Sequence, residues 1–497
     1  MSKLDLVIDK QRNKHNKLNV LFWGDTPLKW TGFGQVIRNI TKELHKLNRY
    51  NIKVIAKMHD IEVDEFGNRL PSYESKMNSW VEEDVKPNQI KEDYPSEIEL
   101  ITPNYCTPEE QRQGLHKEMH GKYKLLRYLM THKVDILFLL DDPYVFLPSS
   151  NPDIPPVDVI AGLKEIKNAW IQSNVKKTFT TIHYFPVDSE HVRPLWYEIA
   201  DTFDIPVTYT KFGLDKAKEI YKPISERLTN IYHGVNTKDF YPMTPQECEQ
   251  MRFEIFGSQG KDKFCILNLN RNQPRKDIIR TLSIYSKFLK RLTIEDQEKC
   301  VLFMYMQNMD IGCNIQHSLV DFPNLVFNKN VIVAGNYIKG NKISDINKFY
   351  NMVRYNGCGI TTTLGEGWGL FLTEGYASRL PMICPNNTVH PELTNNGEYA
   401  YLIPTGQAVY QYGYMVNEPP RYPMIEDEAV SVLYKMYHGL LKDDMKIKTE
   451  KAYQFVQGLG WDKIVKEQWL PVFLKAEEHL IKQYEDLNKT IKEVKKL

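Results

Sequence analysis

No stretch of the 497 residues approaches the ~20 consecutive apolar residues needed to cross a bilayer, so the sequence predicts no integral membrane segment. Cysteine is scarce: seven residues (106, 248, 265, 300, 313, 358 and 384), odd in number and without a CxxC pair. That pattern argues against a zinc site or a disulfide framework and for a reducing, cytoplasmic compartment. Excess charge of either sign is also missing, with 64 Lys and Arg against 63 Asp and Glu and a formal net charge of +1. Nothing global pulls such a chain toward nucleic acid or an anionic membrane, and either partner would have to be met by a local patch. Residues 1–19 are polar and lysine-rich and lack the apolar core of a signal peptide. No internal repeat or low-complexity tract is visible.

What is present is globular, and its length suits two domains. Residues 19–24 (NVLFWG) read as a buried strand. A Gly-containing turn follows, then a helix over 35–47 with Val36, Ile37, Ile40 and Leu44 on one face. A second strand over 52–56 completes the opening of a doubly wound parallel sheet. Further short strands are predicted at 135–140, 178–183 and 206–209, separated by helical stretches, while 58–100 reads as a surface insertion.

The series then restarts, with strands at 263–268, 301–305 and 359–363 and helices at 277–292, 343–354 and from 371. Two such series imply two Rossmann-like domains, 1–241 and 242–462. A long helical pattern over 461–497 follows, with Pro471 placed to kink it, and residues 463–497 are expected to cross back to the first domain.

The most informative segment is EGWGLFLTEGYASRLP, residues 366–381. Two carboxylates, Glu366 and Glu374, stand eight positions apart, the first in a Gly-flanked turn after a strand and the second inside a helix. The turn glycines allow close backbone approach to a ligand. Free amides around Gly369, Leu370 and Phe371 form a helix N-terminus suited to a diphosphate. A carboxylate inside the helix can accept two hydroxyl protons at once, which suits a ribose. Upstream, NRNQPRKD (270–277) opens another helix and would direct the cations of Arg271 and Lys276 at the same crevice, where they can neutralise a departing diphosphate. The donor half contains no DxD motif at a strand end, and no metal is expected.

These segments resemble the family 4 retaining glycosyltransferases of GT-B fold. The run 366–381 is similar to that family's E-x7-E signature, and Arg271 with Lys276 to its phosphate-binding Arg-x4-Lys. YHGVNTKDF (232–240) with Pro242 is similar to its interdomain segment. Thr388 to Leu393 with Asn396–Gly397 looks like its "PE…dG" loop. The resemblance covers 230 to about 461, and the first half matches only loosely. Trp368 stands where Phe is commoner, Gly375-Tyr-Ala replaces a usual EAMA pattern, and Asn270 replaces a frequent Gly. None of these changes removes a charge.

The resemblance implies transfer of a hexose-type sugar from a UDP- or GDP-sugar, with retention and without a cofactor. Glu374 would bind the ribose, and Glu366 the donor sugar near the reacting carbon. Arg271 and Lys276 would clamp the diphosphate, with backbone help from Gly367, Trp368, Gly369, Leu370 and Phe371. Gly32 and Gly34 resemble the family's glycine loop across the cleft. His183 matches a histidine that many members direct at the donor sugar.

The acceptor stays open between a glycan or lipid-linked glycan and a hydroxylated DNA base of the kind some viral enzymes modify. An inactive binding module and a nucleotide-sugar epimerase are the remaining readings. Asp25 and Asp141–Asp142, at strand ends, either orient an acceptor hydroxyl or cap the following helices. The segment 112–133 carries six Lys and Arg and three His against one acid, a face for an anionic acceptor or simply a solvated helix. The stretch 407–424 exceeds the family pattern.

Overall fold

The near-continuous apolar run at the start of the chain becomes strand β1 (Leu18–Asp25), buried from Val20 onward, as expected of a parallel strand covered on both faces. The structure is a computed structural model and describes residues 17–28, 31–57, 62–63, 69–70, 94–101, 103, 120–149, 154–335, 343–410 and 419–494. Most of the 58–100 insertion, residues 112–119 of the basic segment and the centre of 407–424 lie outside the described residues.

The first sheet has seven strands in the order β3-β2-β1-β4-β5-β6-β7. These are β2 (Tyr50–Lys57), β3 (Glu99–Ile101), β4 (Ile136–Leu140), β5 (Thr180–Phe185), β6 (Ile205–Thr208) and β7 (Thr229–Asn230), and every pairing is parallel. Strands β2 and β3 build to one side of β1 and β4 to β7 to the other, so the order reverses between β1 and β4.

The second sheet repeats the plan with six parallel strands in the order β10-β9-β8-β11-β12-β13. They are β8 (Phe264–Asn268), β9 (Cys300–Met304), β10 (Val331–Val333), β11 (Gly357–Ile360), β12 (Met382–Pro385) and β13 (Tyr401–Ile403). Its reversal lies between β8 and β11. Each domain therefore has a crevice beyond the carboxyl ends of its central strands, where open α/β sheets place ligands.

Two crossings join the domains side by side, with Val235 N donating to Leu459 O at 2.7 Å. The last helix then returns to the first sheet. Its break is a π-turn over Val465–Trp469, in which Leu470 N donates to Val465 O, ahead of the helix Leu470–Val494. The sequence placed a kink at Pro471; instead the widened turn absorbs the disruption just before the residue that lacks an N–H. Phe473 stacks on Phe138 at 6.0 Å and 4°. Glu477, 2% exposed, accepts from Arg49 at 2.8 and 2.7 Å and from the Tyr50 hydroxyl at 2.8 Å. The three donors meet the buried carboxylate's need for hydrogen bonds, and this pins the helix to the first domain.

Candidate functional site

Two loops meet at the reversal of the second sheet. After β8 the chain makes a 3-10 turn, Pro274–Lys276, and Asp277 takes a left-handed φ of 48° before the helix Ile278–Lys290. After β11 runs a threonine triplet whose groups bind that turn. Thr362 Oγ1 donates to Lys276 O at 3.1 Å and Asp277 O at 2.9 Å, and Leu364 N donates to Arg275 O at 2.8 Å. This lacing brings Lys276 to Glu366.

Lys276 Nζ forms an ion pair with Glu366 Oε1, and Arg275 Nη1 reaches Oε2 at 3.1 Å. Glu366 N also donates to Thr388 Oγ1 at 3.0 Å. Burial alone would raise the Glu366 pKa, but the two cations hold it well below the usual carboxylate range. Burial pushes Lys276 down to about 8 against the pull of Glu366. Both partners are therefore charged at neutral pH. Arg271, which the sequence paired with Lys276, instead forks onto Asp310 at 2.8 and 3.1 Å with its side chain 61% exposed. Arg275, adjacent in the same turn, takes the place beside Lys276.

Beyond Glu366 the helix α1 (Leu370–Ala377) starts from Gly369, whose φ of 96° favours glycine. Gly365 and Gly367 serve a close approach of backbone to the first domain. A β-carbon on Gly365 would lie 2.1 Å from Asp188 O, and one on Gly367 2.6 Å from Pro186 Cβ. Trp368 is buried against Tyr232 and His233 at 5.1 and 5.4 Å. Glu374, half-buried within α1, accepts from the Tyr350 hydroxyl at 2.7 Å. Burial raises its pKa to about 7 despite that hydrogen bond, with the Asp239 charge adding to the shift.

The facing wall comes from the first domain. The helix Gly32–Lys46 is capped by Thr31, whose Oγ1 accepts from Gly34 N at 3.0 Å and donates to Asp25 at 2.7 Å. Asp25 thus supports the cap through Thr31 and does not itself cap the helix. Asp142 precedes a 3-10 turn without capping it and accepts from the Tyr144 hydroxyl at 3.2 Å. Burial lifts its pKa to about 8, helped by the charges of Asp141 and Asp188. Lys57, buried over the Trp23 ring, pairs with Asp141 and lies 3.6 Å from Asp25. A β-carbon on Gly32 would stand 3.8 Å from Leu370 Cδ1, so the first residues of two helices, one per domain, come close across the cleft.

His183 departs from the sequence expectation. It is fully buried within 5 Å ring-centroid distance of Phe146, Phe185 and Phe203, and its Nε2 lies 3.1 Å from Asp141 O. Burial drives its pKa down to about 3, so it is neutral and Nε2 is the donor. The side chain lies behind the cleft wall because strand alternation turns it into the sheet's packed face. In the described part of the basic segment Lys122 is buried and donates to Leu147 O at 2.7 Å, while Arg127, His132 and Lys133 are exposed.

Several groups escaped the sequence reading. Asp188, just past β5, pairs with Arg275 at 3.1 Å. Glu392 accepts from Lys211 N at 2.9 Å and Phe212 N at 2.8 Å, capping a first-domain helix with a second-domain carboxylate. Glu190 accepts from Thr388 N at 2.6 Å. Glu392 lies inside the 388–393 motif, though its capping role was not read from it, and Asp188 and Glu190 follow the end of β5.

No family model matches the chain. Over 220 residues, 44% of its length, it is 21% identical to a protein of Thermosipho melanesiensis assigned provisionally as a sucrose-phosphate synthase. Over 232 residues, 45% of its length, it is 23% identical to EpsD of Bacillus subtilis, assigned provisionally as a glycosyltransferase. The chain spans about half the length of these relatives, 46% and 52%.

Solved structures align over nearly the whole chain. HepE of Anabaena, crystallised with UDP and glucose, gives a TM-score of 0.58 at 11% identity over 92% of this chain and 99% of that one. A sucrose-phosphate synthase of Thermosynechococcus elongatus gives 0.58 at 13% over 93% and 100%. A glycosyltransferase of Rickettsia africae gives 0.56 at 14% over 96% and 100%. The likeness establishes the fold: two Rossmann-like domains in the GT-B arrangement.

Proposed function

We propose that the chain is a glycosyltransferase of the family 4 type, moving a hexose-type sugar with retention from a UDP- or GDP-sugar to a hydroxyl on a glycan or lipid-linked glycan. The observation that carries the reading is the convergence of two helix N-termini, at Gly32 and at Leu370, on a cleft floored by Lys276, Arg275 and Glu366. Neighbouring helix N-termini with adjacent cations form a site for a dianionic diphosphate. The solved complex of HepE with UDP and glucose supports that chemistry for this fold.

In this reading the diphosphate lies against the amides of Gly367 to Phe371. Lys276 and Arg271 neutralise its growing charge as the bond to the sugar breaks. Arg271, which forks onto Asp310 with its side chain 61% exposed, would exchange that pair for the diphosphate on binding. Glu366, kept ionised by two cations in the turn before α1, accepts from sugar hydroxyls, and Glu374, inside α1, accepts from those of the ribose. Asp142 and Asp25 stand on the acceptor side. His183 acts through the backbone of Asp141 and not on the sugar. Closure of the domains excludes water that would hydrolyse the donor.

The test is calorimetry of wild type and Lys276→Ala with UDP, GDP and ADP, followed by the corresponding sugar nucleotides. Binding of one diphosphate by the wild type, weakened in the variant, is the expected result. A wild type that binds none removes the assignment.

A further inference from the structure

The stretch 407–424, which exceeds the family pattern, has a visible consequence where it is described. Residues 404–410 and 419–425 run antiparallel, with Gly406 N donating to Pro423 O at 2.8 Å and Val409 and Arg421 exchanging backbone bonds at 2.8 and 2.9 Å. This ladder holds Arg421 over the cleft, where its side chain is 3% exposed. Arg421 Nη1 donates to Asp188 O at 2.6 Å, and Nη2 lies 3.4 Å from Asp188 Oδ1. The other carboxylate oxygen of Asp188 faces Arg275 Nε at 3.1 Å. The next residue of the arm repeats the link, with Tyr422 OH 2.6 Å from His191 Nε2.

We propose that Arg421 is a positioning residue of the transfer reaction: it locks Asp188 across the domain boundary, and Asp188 in turn orients Arg275 against Glu366. The proposal rests on the function argued above. The chain of contacts runs Arg421, Asp188, Arg275, Glu366 and Lys276, alternating in charge and crossing from the second domain to the first and back. Asp188 is held below the usual carboxylate range: burial opposes its charge, and the two guanidinia outweigh that cost. An arginine suits this place because its planar fork can bind a carbonyl and a carboxylate together, which a lysine cannot reproduce. The same arrangement brings Asp188 O against Gly365, so the turn bearing Glu366 is set from across the cleft. Loss of Arg421 would leave the diphosphate and ribose groups of the second domain in place while loosening closure.

Hydrogen–deuterium exchange of Arg421→Ala, Arg421→Lys and Asp188→Asn tests the latch without any ligand. The amides of Lys211, Phe212 and Thr388, bound across the cleft by Glu392 and Glu190, should exchange roughly tenfold faster in Arg421→Ala, with amides of β1 and β8 unchanged. Faster exchange confined to 404–425 would overturn the proposal. In parallel, UDP affinity by calorimetry should be preserved, while kcat for UDP release from UDP-glucose falls roughly tenfold in Arg421→Ala and less in Arg421→Lys. A loss of UDP affinity with kcat intact would also overturn it. Should Arg421→Ala fail to fold, Arg421→Lys carries the same comparison. A wild type that binds no nucleoside diphosphate would refute the functional assignment, and the exchange data would still judge the latch.

Discussion

Gly32 and Leu370, in the first turns of helices from different domains, stand so close that a β-carbon on the glycine would lie 3.8 Å from Leu370 Cδ1. One added methyl makes ordinary contact there, whereas a branched side chain enters the space assigned to the diphosphate. Gly32→Ile should leave the thermal midpoint unchanged or slightly raised, since glycine within a helix costs about 0.5–1 kcal/mol. The same variant should lose nucleoside-diphosphate binding at least tenfold, roughly 1.4 kcal/mol. Thermal melts and calorimetry check the two halves, and retained affinity would move the diphosphate elsewhere.

Lys276 contributes to folding as well as to binding. Its side chain is 12% exposed and its partner Glu366 9%, so Lys276→Ala leaves a buried carboxylate with Arg275 alone. The expected cost is about 2 kcal/mol in unfolding free energy, below that of an unassisted buried charge. Turnover should fall by roughly 10²–10³, the loss seen when one charge-stabilising donor is removed. Adding Glu366→Gln should recover most of the stability and none of the turnover. Denaturant titration and kinetics of the single and double variants decide it.

Much of this architecture is legible in the sequence because its signals are local. Parallel strands buried on both faces must be apolar runs, so β1, β4, β8 and β9 announce themselves. Glu366 and Glu374 are framed by glycines and a helix start. What stays hidden is the choice among neighbours and every link across the cleft. Arg271 and Arg275 have the same chemistry, and only the lacing of Thr362 and Leu364 onto the 3-10 turn decides which meets Glu366. Arg421 and Asp188 are 233 positions apart, and no periodicity relates them. His183 matched a histidine that the resembling family directs at the donor sugar, yet alternation along the strand put its side chain on the packed face.

Glu374 gives a pH-dependent binding curve. Burial raises its pKa to about 7 in the free protein, so its protonated and ionised forms exchange across the neutral range. The ionised carboxylate accepts from two ribose hydroxyls more strongly than the protonated acid, so binding favours loss of the proton. Nucleotide affinity should therefore rise as pH increases from 6 to 8, with proton release measurable by calorimetry in buffers of different ionisation enthalpy. Glu374→Gln should lower affinity and remove the proton release. Any remaining pH dependence would come from the ligand's own phosphate. Proton release that persists unchanged in the variant would assign the ribose to another group.

His183 separates a role in folding from a role on the sugar. Its ring fills a pocket between three phenylalanines, and Nε2 binds Asp141 O at the edge of the acceptor-side wall. Truncation to alanine opens a cavity there, and His183→Ala should cost about 3 kcal/mol of unfolding free energy. His183→Phe fills the pocket and removes the buried Nδ1, which has no partner among the described residues, so stability should be largely kept. It also deletes the bond that fixes Asp141, so acceptor-dependent turnover should fall while UDP affinity holds. A histidine that touched the donor sugar would behave otherwise: His183→Ala would lose turnover at full stability. Denaturation curves for both variants, set beside UDP calorimetry, separate the two roles, because only a wall-supporting histidine couples stability to the alanine change and spares it in the phenylalanine one.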